Sequence, residues 1–231
     1  MITKRINVNW KNLLNSWYNP IKDNFLDKEY PYRLLEFLHK EYINKKVYPL
    51  KSEIFKCFKL TNYNDVRVVI LGQDPHFNNE ANGLAFGIND KSNVVPPSLL
   101  QIICLMEKDY GMCLNFDHTL ENWAKQGVLL FNTSLTVVKK TPKSHSLQWD
   151  LFTKKIIKTI NDNKNGVIFL LWGKDVQSYA SLIDSDKHYI LKSEHPKDAF
   201  KNNREWDCSH FKEVNNIIEK QNGKEFKIDW K

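Results

Sequence analysis

No run of apolar residues in this 231-residue chain is long enough to cross a membrane, and no apolar leader follows Met1-Ile2-Thr3-Lys4-Arg5. These absences predict a cytoplasmic protein with no membrane partner. Gly/Ser tracts, proline-rich spacers and low-complexity blocks are missing too, which removes the usual linkers. No repeat recurs at solenoid periods. With nothing to divide it, the chain is expected to fold as a single domain over residues 1–231, and a monomer is the default. Cysteine is scarce. Cys57, Cys104, Cys113 and Cys208 form no C-x-x-C pair, which favours free thiols in a reducing compartment. Cys104, Cys113 and His118 match no common metal-ligand spacing, so no metal and no cofactor are expected. Neither Gly-x-Gly-x-x-Gly nor a phosphate-loop signature occurs, which counts against a generic nucleotide-binding module.

What is present is bulk and positive charge. Seven Trp, thirteen Phe and nine Tyr supply a core, and 34 basic residues against 27 acidic ones give a net charge of +7. That balance favours an anionic partner, nucleic acid first, although a basic surface also serves solubility alone.

Residues 8–45 read as helical, with Trp10, Leu13, Leu14 and Trp17 at helical spacing and a break near Pro31. Val66 to Leu71 is a β-branched run suited to a strand buried on both faces, stopped by Gly72 and Pro75. Residues 76–95 form a long loop of the kind that tends to be functional. A helix follows Pro96-Pro97-Ser98, where the Ser98 hydroxyl can cap the helix or hold a phosphate. Residues 127–132, 166–173 and 189–191 read as further strands, with an amphipathic helix over 148–163. Strands alternating with helices predict an α/β fold: a central four-stranded parallel sheet with helices on both faces.

The strand ends carry Asp74, Asn132, Gly173-Lys174 and His195. Each alone is unremarkable, and a strand-end Asp usually caps a loop. In a parallel sheet, however, these ends converge on one edge, where open α/β sheets place ligands. With Phe86 in a nearby loop they suit a planar, neutral, hydrogen-bonding ligand.

At this point the chain resembles the family-1 uracil-DNA glycosylases. Val68–Pro75 (VVILGQDP), Ala81–Phe86 (ANGLAF), Pro96–Leu99 (PPSL), Trp123–Thr136 (WAKQGVLLFNTSLT), Val167–Gly173 (VIFLLWG), His195-Pro196 and Ile228-Asp229-Trp230 occur in the family's order. The resemblance runs from about Trp10 to Trp230. It implies an enzyme that flips uracil out of single- or double-stranded DNA and hydrolyses the N-glycosidic bond without metal or cofactor. It also implies roles. Asp74 is the carboxylate that stabilises the cationic sugar and orients water, and His195 donates to uracil O2. Asn132 pairs with N3–H and O4, Phe86 stacks on the base, Gln73 stands beside it, and Ser98 holds the DNA backbone. A DNA-mimicking inhibitor protein of the family is an implied second partner.

The departures are local. The family reads Gly-Gln-Asp-Pro-Tyr-His-Gly where this chain has Gly72-Gln73-Asp74-Pro75-His76-Phe77-Asn78, and the segment up to Gly83 is one residue shorter. The tyrosine against uracil C5 is therefore replaced by His76 or by Phe77. The family's His-Pro-Ser-Pro-Leu loop is His195-Pro196-Lys197-Asp198-Ala199-Phe200. Its wedge leucine falls on Ala199, with the adjacent Phe200 as the alternative apolar wedge. Lys197 and Lys174 replace serines that hold phosphates. Two readings follow: a working uracil-DNA glycosylase, or a family-like protein of weak or lost activity that binds DNA or the inhibitor.

Overall fold

The computed structural model of the chain describes residues 8–26, 28–92, 94–111 and 116–231. Met1–Arg5 and Cys113 lie outside the described residues. The sheet is built from β2 (Val68–Gly72), β3 (Val128–Asn132), β5 (Ile168–Trp172) and β6 (Tyr189–Ser193). Two short strands, β1 (Val47–Tyr48) and β4 (Val137–Val138), pair antiparallel beside it. The four-stranded sheet is parallel throughout, in the order β3-β2-β5-β6. Every residue of β2, β3 and β5 is buried, as their uninterrupted apolar runs predict, whereas β6 is a partly exposed edge.

This strand order decides where a ligand can sit. The chain leaves β2 for β3 on one side, then crosses back to β5 on the other. The loops after β2 and β5 therefore part in opposite directions and open a crevice at the carboxyl ends of the strands. Asp74 follows β2, and Lys174 follows β5.

The helices cover the sheet through one contiguous apolar cluster. Helix Pro97–Tyr110 starts with proline in its first turn, buries Leu99, Ile102, Leu105 and Met106, and stops at Gly111. Helix Ser146–Asn163 begins two residues earlier than its periodicity predicts and buries Trp149, Phe152, Ile156, Ile157 and Ile160. Each such side chain, fully buried, contributes about 1.5–3 kcal/mol. The N-terminal region is helical among the described residues, but Pro31 does not break it: it lies inside the first turn of helix Glu29–Asn44. A proline is tolerated there because the first-turn N–H groups have no intrahelical partner. The sequence reading omitted helix His210–Asn222, although its buried face (Phe211, Val214, Ile218) has helical spacing.

That last helix is tied to the sheet by a buried imidazole. Trp172 Nε1 donates to His210 Nδ1 at 2.9 Å. Burial pushes the His210 pKa down to about 4, against the opposing hydrogen bond to the Lys192 carbonyl. The unfolded chain therefore takes up a proton near pH 6.5 that the folded chain refuses until about pH 4. The stability lost between those limits is about 3 kcal/mol from this group. In denaturant titrations from pH 7 to pH 4, His210→Asn, which keeps an acceptor for Trp172, is expected to lose less stability than the wild type.

A candidate active site at the carboxyl ends of the strands

A cavity of about 790 Å³ opens at the crevice, and Asp74, Phe86, Asn132 and His195 all line it. Beyond the strands, the link between β2 and β3 continues. Thr133 N donates to Gly72 O at 2.8 Å, Ser134 N to Gln73 O at 3.0 Å, and Thr133 Oγ1 to Gln73 O at 3.0 Å. The main chain that carries Asp74 is fixed by these bonds.

Asp74 Oδ2 accepts two hydrogen bonds, from Gln73 Nε2 at 2.8 Å and from the main-chain N of Lys143 at 2.7 Å. Oδ1 is buried and accepts none among the described residues. Burial raises the carboxyl pKa, and the Gln73 and Lys143 donors oppose it. Gln73 lines the cavity as expected, but its amide nitrogen is given to Asp74. Lys143 was invisible to the sequence reading because its main chain, not its side chain, makes the contact.

Asn132 is 2% exposed, and its Oδ1 also accepts no hydrogen bond among the described residues. A buried acceptor of this kind calls for a donor from a ligand. Gly72 pairs with Asn132 across the two strands. A Cβ on Gly72 would stand 2.2 Å from Asn132 Oδ1 and 2.9 Å from the Ala85 Cβ. Only glycine leaves room for the amide.

Phe86 sits in the left-handed region at φ 65°, where a bulky residue is strained. The loop around it supplies the restraint. The long loop expected after residue 76 carries no helix or strand among its described residues, and an isolated β-bridge between Ala81 and Ile88 ties it across. Asn82, 1% exposed, donates to Ile88 O and Thr119 O and accepts from Leu84 N. Ala85 N donates to Leu130 O of β3. The Phe86 ring rests on Trp172, with centroids 5.3 Å apart. Asn82 was quoted in the motif but given no role; a buried side-chain amide in a turn was the available signal.

His195 caps helix Pro196–Lys201: its Nδ1 accepts from Lys197 N at 3.1 Å. Burial lowers its pKa, so the ring is neutral and its proton sits on Nε2. Gly173, at φ 99°, allows the close approach, since a Cβ there would lie 3.0 Å from the His195 Cβ. His76 and Phe77 both line the cavity. His76 Nε2 meets Phe86 O at 3.3 Å, while Phe77 packs on Tyr48, Ala81 and Val137.

Lys174, Lys197 and Ser98 line the same cavity, and neither lysine is ion-paired among the described residues. The Ala199 wedge needs correction. The segment after His195 is a helix, not a loop, and Ala199 is fully buried against the core, whereas Phe200 is 41% exposed. Of the two, Phe200 is the one exposed.

A parallel sheet with a switch-point pocket lined by a carboxylate, an amide, a neutral imidazole and a ring defines an α/β protein whose pocket suits a planar, hydrogen-bonding ligand. The chain belongs to the uracil-DNA glycosylase superfamily, whose family model, described as Uracil DNA glycosylase superfamily, matches residues 58–219. A protein of Fusobacterium nucleatum named uracil-DNA glycosylase is 43% identical over 218 residues, 94% of this chain and 95% of its own. The crystal structure of mimivirus uracil-DNA glycosylase superposes with a TM-score of 0.84 at 25% identity, over 96% of this chain and 90% of that one. A tyrosine variant of that mimivirus protein, solved in complex with UGI, gives 0.85 at 25% identity, over 98% and 91%. Among the described residues no His, Cys, Asp and Glu side chains group as a metal site, and no helix is long and apolar enough to cross a membrane.

Gly72→Ala is expected to fold but to turn the Asn132 amide out of line. A crystal structure of the variant with that amide unmoved would contradict the steric argument.

Proposed function

We propose that this chain is a single-domain uracil-DNA glycosylase that flips uracil from DNA and hydrolyses its N-glycosidic bond. The observation that carries this reading is a pair of buried oxygens, Asp74 Oδ1 and Asn132 Oδ1, that have no hydrogen-bond partner among the described residues, on two residues that line one cavity with Phe86 and His195. Asn132 Oδ1 accepts from uracil N3–H, and its NH₂ donates to O4. Cytosine offers a lone pair at N3 and an amine at C4, so both contacts fail. Phe86 stacks on the flipped ring.

In the reaction the C1′–N1 bond breaks and its electron pair leaves with uracil. The His195 Nε2–H stabilises the charge that develops on O2, as a donor in place beforehand. The Asp74 carboxylate stabilises the cationic sugar, and Oδ1 orients the water that attacks C1′. The water's proton passes to that carboxylate. Lys174, Lys197 and Ser98 hold phosphates, and Phe200 enters the stack behind the flipped base. An acidic inhibitor protein that copies the phosphate path would meet the same lysines.

The test is excision of uracil from single- and double-stranded oligonucleotides. Asp74→Asn and His195→Ala should each lower turnover by about 10²–10³ or more with little change in DNA affinity. Unchanged turnover in either variant removes that residue from its role.

His76 governs the rate and the specificity. On this reading it, rather than Phe77, takes the place of the tyrosine that abuts C5; both line the cavity, and the imidazole, which meets the Phe86 carbonyl, is smaller than a phenol. A gap there loosens uracil more than it admits thymine, since loose positioning costs rate. Replacing residues 76–79 by the family's longer Tyr-His-Gly segment should raise uracil excision. Strong wild-type activity that the graft leaves unimproved would show that His76 already closes the pocket.

A further inference from the structure

Gln73, one of the two donors to Asp74 Oδ2, is its chain neighbour. The other, Lys143 N, comes from 69 positions further along. Lys143 is at φ 62°, a conformation that a residue with a side chain keeps only where its surroundings impose it. Two anchors flank it. Its own Nζ meets Asp175 Oδ1 at 2.7 Å, but both groups are exposed, so that pair is weak. The second anchor is His145, two residues on and 1% exposed. Its ring lies between Thr136 Oγ1 at 2.8 Å and Glu41 Oε2 at 3.0 Å, edge-on to Phe37.

The hydrogen bonds around His145 run in one direction. Trp149 Nε1 donates to Thr136 Oγ1 at 2.8 Å. The threonine hydroxyl is left to donate to His145 Nδ1, and His145 Nε2–H donates to Glu41. Burial lowers the His145 pKa against the pull of Glu41, which suits this neutral form. None of these four side chains lines the cavity. A buried polar chain of this kind, fully satisfied, specifies one geometry.

We propose that His145, held between Glu41 and Thr136, is a positioning residue: it fixes the Lys143 main-chain N–H against Asp74 Oδ2 and so presents Oδ1 to the reacting water. This rests on the catalytic reading of Asp74 given above. The effect passes through the main chain, so a change at His145 moves Asp74 without touching substrate.

The sign of the pH effect follows from the groups facing Asp74. Burial raises its pKa and Asp175 adds to the rise, while the Gln73 amide, the Lys143 N–H and the Lys143 ammonium oppose it. His145 lies within electrostatic reach of the carboxylate and is neutral. Losing the Lys143 N–H raises the Asp74 pKa, and the acid limb of the turnover profile moves to higher pH.

The test uses the full chain. An α-hydroxy analogue of lysine at position 143 replaces the N–H by an ester oxygen and keeps the side chain paired to Asp175. Turnover should fall by about 10²-fold while KM changes little. The acid limb should rise, and so should the Asp74 pKa read by carbon-13 NMR. His145→Ala should act in the same direction, and His145→Gln, which keeps a donor and an acceptor, should recover part of the loss. An ester variant with unmoved Asp74 titration and unchanged turnover overturns the proposal. So does a His145→Ala protein that loses thermal stability but keeps its turnover and acid limb. If His145→Ala does not fold, the ester variant decides. A wild type that excises no uracil would defeat the activity reading, and the Asp74 titration would still decide the positioning.

Discussion

A carboxylate withdrawn from water protonates unless donors hold its charge, and the architecture around Asp74 answers to that constraint. Two N–H groups converge on Oδ2 and keep the group ionisable, at the price of using up one oxygen. The other oxygen accepts no hydrogen bond among the described residues, and Asp74 lines the cavity. Bringing in those donors requires the strand end after β2 to be pinned by Thr133 and Ser134. It also requires the segment near His145 to fold back over the crevice. Electrostatics thus dictates the conformation of two loops far apart in sequence.

The base-facing side of the cavity is governed by close approach. Asn132 reaches its position only because Gly72 has no side chain, and His195 only because Gly173 has none. Phe86 accepts an unfavourable backbone conformation, and the Asn82 hydrogen bonds and the Trp172 ring beneath it hold it there. These costs are local, and the buried sheet supports them. A site assembled with less rigid backing would relax away from them and lose its alignment.

The sheet was legible because β2, β3 and β5 are continuous apolar runs ended by glycine or a polar residue, a pattern with few alternative readings. The residues at their ends followed from topology. What escaped the sequence are contacts without a residue signature. The Lys143 N–H exists at every non-proline position, and nothing in Thr141–His145 announces a left-handed turn against Asp74. The short β1–β4 pair was missed because two residues carry no periodicity. Ala199 was misjudged as a wedge because a motif aligned by position says nothing of which helix face a residue occupies. Its neighbour Phe200 lies on the exposed face.

The same physics accounts for where this chain departs from its family's motifs. A phosphate contact needs charge or a donor within reach, and a flexible lysine supplies it from many positions, so on the proposed reading Lys174 and Lys197 can stand in for the family's serines. A hydrogen bond to a buried base edge tolerates no such latitude, because a misdirected amide leaves two polar groups unsatisfied. On that reading substitution is cheap along the DNA path and costly at Asp74, Asn132 and His195. The exception is the position of the family's tyrosine, which on the proposed reading is taken by His76, a residue that lines the cavity. The C5 edge makes no hydrogen bond, so a change there alters fit without orphaning a polar atom. Drift inside the pocket is tolerated where recognition is steric, and that is the wall where this chain has changed.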